Sequence, residues 1–147
     1  MKQEDKQLVL EDLCARIPYG VMCIEFDTII LKLHSIEYVG NGDYYVNAIH
    51  DGYGNIYPLC AKVEEVKLFL RPMSTMTDEE KVEYEKLKNL LVCQVNTASK
   101  GAFHVSYMVD IDEDSHSVFT WLNAHHFDYR GLIERGLAVE ARDDMYK

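Results

Sequence analysis

The feature that most constrains the fold is a double change of hydrophobic rhythm, from period 3.6 to period 2 and back again. Leu10, Leu13, Cys14 and Ile17 recur at i, i+3, i+4 and i+7, which predicts an opening helix with one apolar stripe. Glu11, Asp12 and Arg16 fall off that stripe, and Pro18-Tyr19-Gly20 ends the helix. From Val21 to Leu70 apolar and polar residues alternate instead. A first strand covers residues 21–26. In the second, Ile29, Leu31 and Leu33 alternate with Ile30, Lys32 and His34. The alternation slips at Ser35, after which Ile36 and Tyr38 take the apolar slots, as a bulge or sharp bend requires. Asn41-Gly42 suits a type I′ turn, with residues 44–50 as the returning strand. A turn at residues 51–55, a short strand at Ile56 and Tyr57 ended by Pro58, a helical turn over residues 62–65 and a last strand at 66–70 complete the region.

Five short strands, one of them long and bent, and a helical turn before the fifth predict an α+β fold. Its expected centre is a small SH3-like five-stranded β-barrel preceded by one helix, because closure removes exposed edges. Residues 1–72 would hold the helix and barrel, and residues 73–147 a helical extension packing on it. Thr77 and Glu80 have capping-box spacing, followed by Tyr84, Leu87, Leu91 and Val95 as a buried helix face. Residues 98–117 read as a loop or added hairpin, with a strand-like run at 103–111. A final helix starts near Ser117 and carries Phe119, Trp121 and Leu122 toward His125.

Composition narrows the classes of function. Apolar residues make up 48% and charged ones 27%, a globular balance. No run approaches the length of a membrane span, and residues 1–7 lack the apolar core of a secretory signal, so a cytoplasmic location is expected. Cys14, Cys23, Cys60 and Cys93 have no C-x-x-C spacing, which argues against a disulfide framework or a thiolate zinc site. The net charge of −10, negative on both sides of Pro72, argues against direct nucleic-acid binding.

The densest set of chemically capable side chains lies between Trp121 and Ile133, where His125, His126, Asp128 and Arg130 could form a polar site. Adjacent histidines on a helix diverge by about 100°, so a single metal would not take both. Asp110, Asp112 and Asp114 open like a calcium loop, but Ser115 stands at the glycine position and Trp121 where a closing glutamate belongs. Asp128 could pair with Arg130, with Gly131 supplying a positive φ. No nucleophile–base template, P-loop or G-x-S-x-G is present, and no cofactor is implied. Trp121, Phe127 and Tyr129 read more simply as a docking plug that supplies apolar area. Half of the ten tyrosines, Tyr38, Tyr44, Tyr45, Tyr53 and Tyr57, surround the two hairpins. They fit ordinary β-propensity, or an aromatic groove that receives an extended peptide.

Three stretches in combination also resemble a family of small proteins of gut anaerobic bacteria, associated with phages and prophages. They are Leu13-Cys14-Ala15-Arg16-Ile17-Pro18-Tyr19-Gly20-Val21, the junction from Leu70 to Thr77, and Trp121-Leu-Asn-Ala-His-His-Phe-Asp-Tyr-Arg-Gly-Leu-Ile133 with Gly136-Leu137-Ala138. The resemblance implies a cytosolic, phage-associated setting. It carries no activity and assigns no residue a role.

These readings lead to one expectation with two rivals. The expected function is a non-enzymatic interaction module binding a protein partner. The first rival is an acidic inhibitor that mimics nucleic acid against a host DNA-binding enzyme. The second is a metal-dependent hydrolase built on His125, His126, Asp128 and Arg130.

Overall fold

The computed structural model describes residues 1–25, 29–49, 59–98 and 118–147. The expectations for Tyr53, Tyr57, the strand at residues 56–57 and the segment at 99–117 lie outside them. So do the side chains of Leu91 and Val95.

Helix α1 (Gln3–Arg16) ends in a 3-10 turn over Ile17–Tyr19, closed by Gly20 at φ 65°. Its buried face is broader than the expected stripe: Leu10 and Leu13 are buried and Ile17 packs on the core, but Cys14 is exposed and Val9, Asp12 and Arg16 are buried as well. Val9, Asp12, Leu13 and Arg16 also stand at i, i+3, i+4 and i+7, so the period is helical and the face extends one position to the side. Asp12 and Arg16 tolerate burial because each satisfies the other, as described below.

The strands are β1 (Met22–Glu25), β2 (Ile29–Gly40), β3 (Asp43–Ile49), β4 (Leu59–Lys62) and β5 (Val66–Leu70). A 3-10 turn over Val63–Glu65 separates the last two. In β2 the pairing with β3 shifts between Leu33 and Ser35, placing the bulge where the alternation slips. Asn41 (φ 55°) and Gly42 (φ 81°) make the tight β2–β3 turn, both in the left-handed region that a type I′ turn needs.

The barrel does not form. The sheet is open and mixed, in the order β4-β3-β2-β1-β5-β6, with β6 (Ala138–Glu140) parallel to β5. Closure would require β5 to find a partner on its outer side from the front of the chain. That side is taken by β6, with Leu68 opposite Ala138 and Leu70 opposite Glu140. Among the described residues, two further α-helices follow, α2 (Asp78–Ala98) and α3 (Val118–Ala124). The capping box of α2 is present: the Glu80 amide donates to Thr77 Oγ1 (3.2 Å) and the Thr77 amide to Glu80 Oε2 (2.8 Å).

Two apolar clusters follow. The larger sets Val9 and Leu13 of α1 against Val21 and against Leu31, Leu33, Val46 and Leu68 of the sheet, with Leu132 and Ala138 from the C-terminal portion. The smaller joins Met76, Leu87, Val118, Trp121, Leu122 and Phe127. Between the clusters runs the segment on which the sequence concentrated its polar and aromatic residues.

Candidate functional site

Helix α3 is closed by a Schellman-type arrangement: the His126 amide donates to Asn123 O (3.1 Å) and the Phe127 amide to Leu122 O (3.0 Å). His126 occupies the left-handed position at φ 60°, where glycine is usual. This reversal sends Phe127 alongside the end of β5. There the Arg71 amide donates to His126 O and the Asp128 amide to Arg71 O, each at 2.8 Å.

Phe127 is fully buried, with the Arg71 guanidinium 4.2 Å from its ring centre and the Trp121 ring 5.7 Å away. Its carbonyl accepts from Arg16 Nη2 at 2.8 Å. Arg16 in turn donates to Asp12 through Nε (2.7 Å) and Nη2 (3.2 Å), with both side chains at 0% exposure. A buried fork of this kind is stable only as a complete set, because either charge alone would stand unsolvated in the core. Arg71 is held by both carboxylate oxygens of Glu80, at 2.8 and 2.9 Å, which keeps that carboxyl below its usual range.

The residues expected to form a polar site are therefore close in sequence but engaged separately. His125 stacks on Trp121 at 4.1 Å, and its Nδ1 lies 2.9 Å from Trp121 O. His126 turns the other way and stacks on Tyr146 at 3.9 Å. Asp128 does not pair with Arg130; its two oxygens accept the amides of Leu132 and Ile133, both at 2.8 Å. Arg130 reaches α1 instead, donating to Glu11 Oε2 (3.2 Å) and lying 3.4 Å from Asp12 Oδ1. Gly131 has the positive φ expected of it, 70°. Among the described residues, no three His, Cys, Asp or Glu side chains converge as a metal site.

Asp128 thus closes the turn that follows it. Replacing it with Ala leaves two amides without their charged acceptor, and the expected loss is about 2–3 kcal/mol in urea unfolding. Asp128→Asn, which keeps one carbonyl acceptor, should lose less.

His126 is 6% exposed, and its Nδ1 has no hydrogen-bond partner among the described residues. Burial first, then the positive charges of Arg16, His125 and Arg71, lowers its pKa to about 4 from an ordinary 6.5. An unfolded chain therefore takes up this proton before the folded one does. Its contribution to stability is complete above pH 6.5 and is lost as pH falls to 4, on the order of 3 kcal/mol. Unfolding titrations at pH 7 and pH 4 should show that loss in the wild type, and a smaller one in His126→Asn.

Of the aromatic surface expected on the hairpins, Tyr38, Tyr44 and Tyr45 fall among the described residues. Tyr38 is 59% and Val39 50% exposed near the β2–β3 turn, and Tyr38 lies 5.1 Å from the half-buried Tyr44. Tyr44 packs onto the larger core cluster, and Tyr45 is also half-buried. Tyr38 and Val39 form an exposed tip, and Tyr53 and Tyr57 of the expected groove lie outside the described residues.

Sequence reasoning missed the two groups that bind this region together. The Asp12–Arg16 pair had a readable signal in the Val9, Asp12, Leu13, Arg16 spacing. Tyr146 had none. Its hydroxyl donates to Phe69 O (2.7 Å) and accepts from the Met22 amide (3.0 Å), joining the tail to β5 and β1. Burial raises its pKa well above the usual tyrosine range. A cleft of about 400 Å³ opens beside it, lined by charges of both signs from Arg71, Glu80, Glu140, Arg142 and Asp143.

No family model, curated protein or solved structure matches this chain. No helix among the described residues is long and apolar enough to cross a membrane.

Proposed function

We propose that the protein is a non-enzymatic interaction module that contacts a protein partner through the β2–β3 tip. One observation carries this reading. The side chains capable of chemistry around Trp121–Ile133 are engaged in internal packing and hydrogen bonding, whereas Tyr38 and Val39 project from the sheet into solvent. Exposed aromatic and β-branched side chains on a rigid hairpin present contact area at small entropic cost. The resemblance to phage-associated proteins supports a partner of host or phage origin.

The test is capture of partners from lysate by the full chain, with Tyr38→Asp/Val39→Asp against Phe119→Asp, which alters an exposed apolar residue elsewhere. The tip variant should lose the specific partner and the control should keep it. Retention by both would remove the tip from the account. A nucleic-acid mimic would instead reveal itself by capture that weakens steeply with salt. The exposed first part of α2 favours that rival less, because Asp78 pairs with Lys81 (3.0 Å) and Glu85 with Lys88 (3.3 Å).

A further inference from the structure

The junction of His126 with Tyr146 has a property that packing alone does not require. The imidazole is buried with one nitrogen lacking a partner among the described residues, and the charges that act on it, Arg16, His125 and Arg71, are positive. Arg16 faces it from α1, paired with Asp12, and Arg71 from the end of β5, paired with Glu80. His125 precedes it on the chain. From the tail it meets the Tyr146 phenol, with the Cys23 thiol of β1 near that ring. Asp128, two residues on, has both oxygens committed to backbone amides. Among the described residues no carboxylate is hydrogen-bonded to the imidazole, and the guanidinium groups of Arg16 and Arg71 oppose a positive charge there.

The tail after β6 is fastened by the Ala141 amide to Leu70 O (2.8 Å), by the two hydrogen bonds of the Tyr146 hydroxyl and by the packing of the Tyr146 ring on the larger apolar cluster. Arg142, Asp143 and Asp144 between them are exposed. Among the described residues, the aromatic contact of the tail is therefore made with a group whose burial disfavours charge.

We propose that residues 141–147 form a proton-operated latch: neutral His126 holds Tyr146 closed over β1 and β5, and protonation of the imidazole releases the tail. Release frees the Met22 amide and the Phe69 carbonyl and admits water to His126, which then carries its charge in a solvated setting. A proton is the only chemical input. By linkage, the ratio of closed to open latch falls roughly 150-fold between neutral pH and pH 4.

The experiment is a pH series on the full chain by nuclear magnetic resonance, following the His126 ring, the Tyr146 ring and exchange of the Met22 amide corrected for its intrinsic rate. Val46 and Leu68 report the core. The wild type should lose Tyr146 ring shifts and Met22 protection at the midpoint of the His126 titration, with Val46 and Leu68 still protected. His126→Phe keeps a ring against Tyr146 without a titrating group, and its tail should stay closed through the same range. If the strained backbone prevents that variant from folding, His126→Asn replaces it, since asparagine tolerates a positive φ. There the Met22 amide should exchange at a level that does not depend on pH. Tail release at the wild-type pH in a non-titrating variant would overturn the latch. So would a His126 that titrates near 6.5 with Tyr146 in place, or loss of tail and core in one step.

Discussion

Asp12→Ala is expected to lower the unfolding free energy by about 3–5 kcal/mol, one of the two largest effects of any single substitution in the molecule. It would leave the Arg16 guanidinium at 0% exposure with no counter-ion, and Arg16 Nη1 already lacks a partner among the described residues. The cost arises from the abandoned charge rather than from the pair itself. Asp12→Leu with Arg16→Met, which removes both charges, should therefore recover much of the loss. Full recovery is not expected, because the Phe127 carbonyl loses its donor, a penalty of about 1–3 kcal/mol. Urea unfolding of the three proteins at pH 7 measures this. A loss below about 1 kcal/mol for Asp12→Ala would mean that Arg16 reaches water in solution.

Phe127→Ala is expected to cost a comparable 3–5 kcal/mol, about what an emptied aromatic site loses in transfer free energy and cavity formation. The ring at 0% exposure is the meeting point of Arg71, Trp121 and the end of β5. Its removal undoes packing in the smaller cluster and the cation–π contact together. Phe127→Leu, which refills most of the volume, should cost far less. Tyr129→Ala, whose side chain is only half-buried and lies 5.6 Å from Phe119, should also cost less than Phe127→Ala. Equal losses at 127 and 129 would deny Phe127 its central place.

The front of the chain was legible because its signals are local. The slip at Ser35 marks a real register shift, Asn41-Gly42 a real turn, and Thr77 with Glu80 a real cap. The closed barrel was misread because the closing decision is not local. Three residues, Ala138–Glu140, take the outer edge of β5, and a strand so short has no periodicity to read. On α1 the apolar stripe shows Leu10 and Leu13 but not the two charged residues beside it. Asp12 and Arg16 lie off that stripe, yet they are four apart on one face and bury as a unit.

At the candidate site, Trp121 and Phe127 were legible as an anchor, since large aromatic area seeks burial. The separation of His125, His126, Asp128 and Arg130 was not. It depends on His126 adopting φ 60°, which turns neighbouring side chains toward different elements. The β5 bridge, Arg16 and the tail supply the contacts that hold that backbone conformation, and all three are distant in sequence.

The central claim is that Trp121–Ile133 is an internal anchor and not an open site. Hydrogen exchange at the amides of Arg71, Asp128, Leu132 and Ile133 tests it most directly, because their acceptors are the contacts that lock the segment to β5 and to its own turn. All four should exchange only through global unfolding, at the rates of Val46 and Leu68 in the sheet. Fast exchange at Asp128, Leu132 and Ile133 while the sheet stays protected would contradict the account.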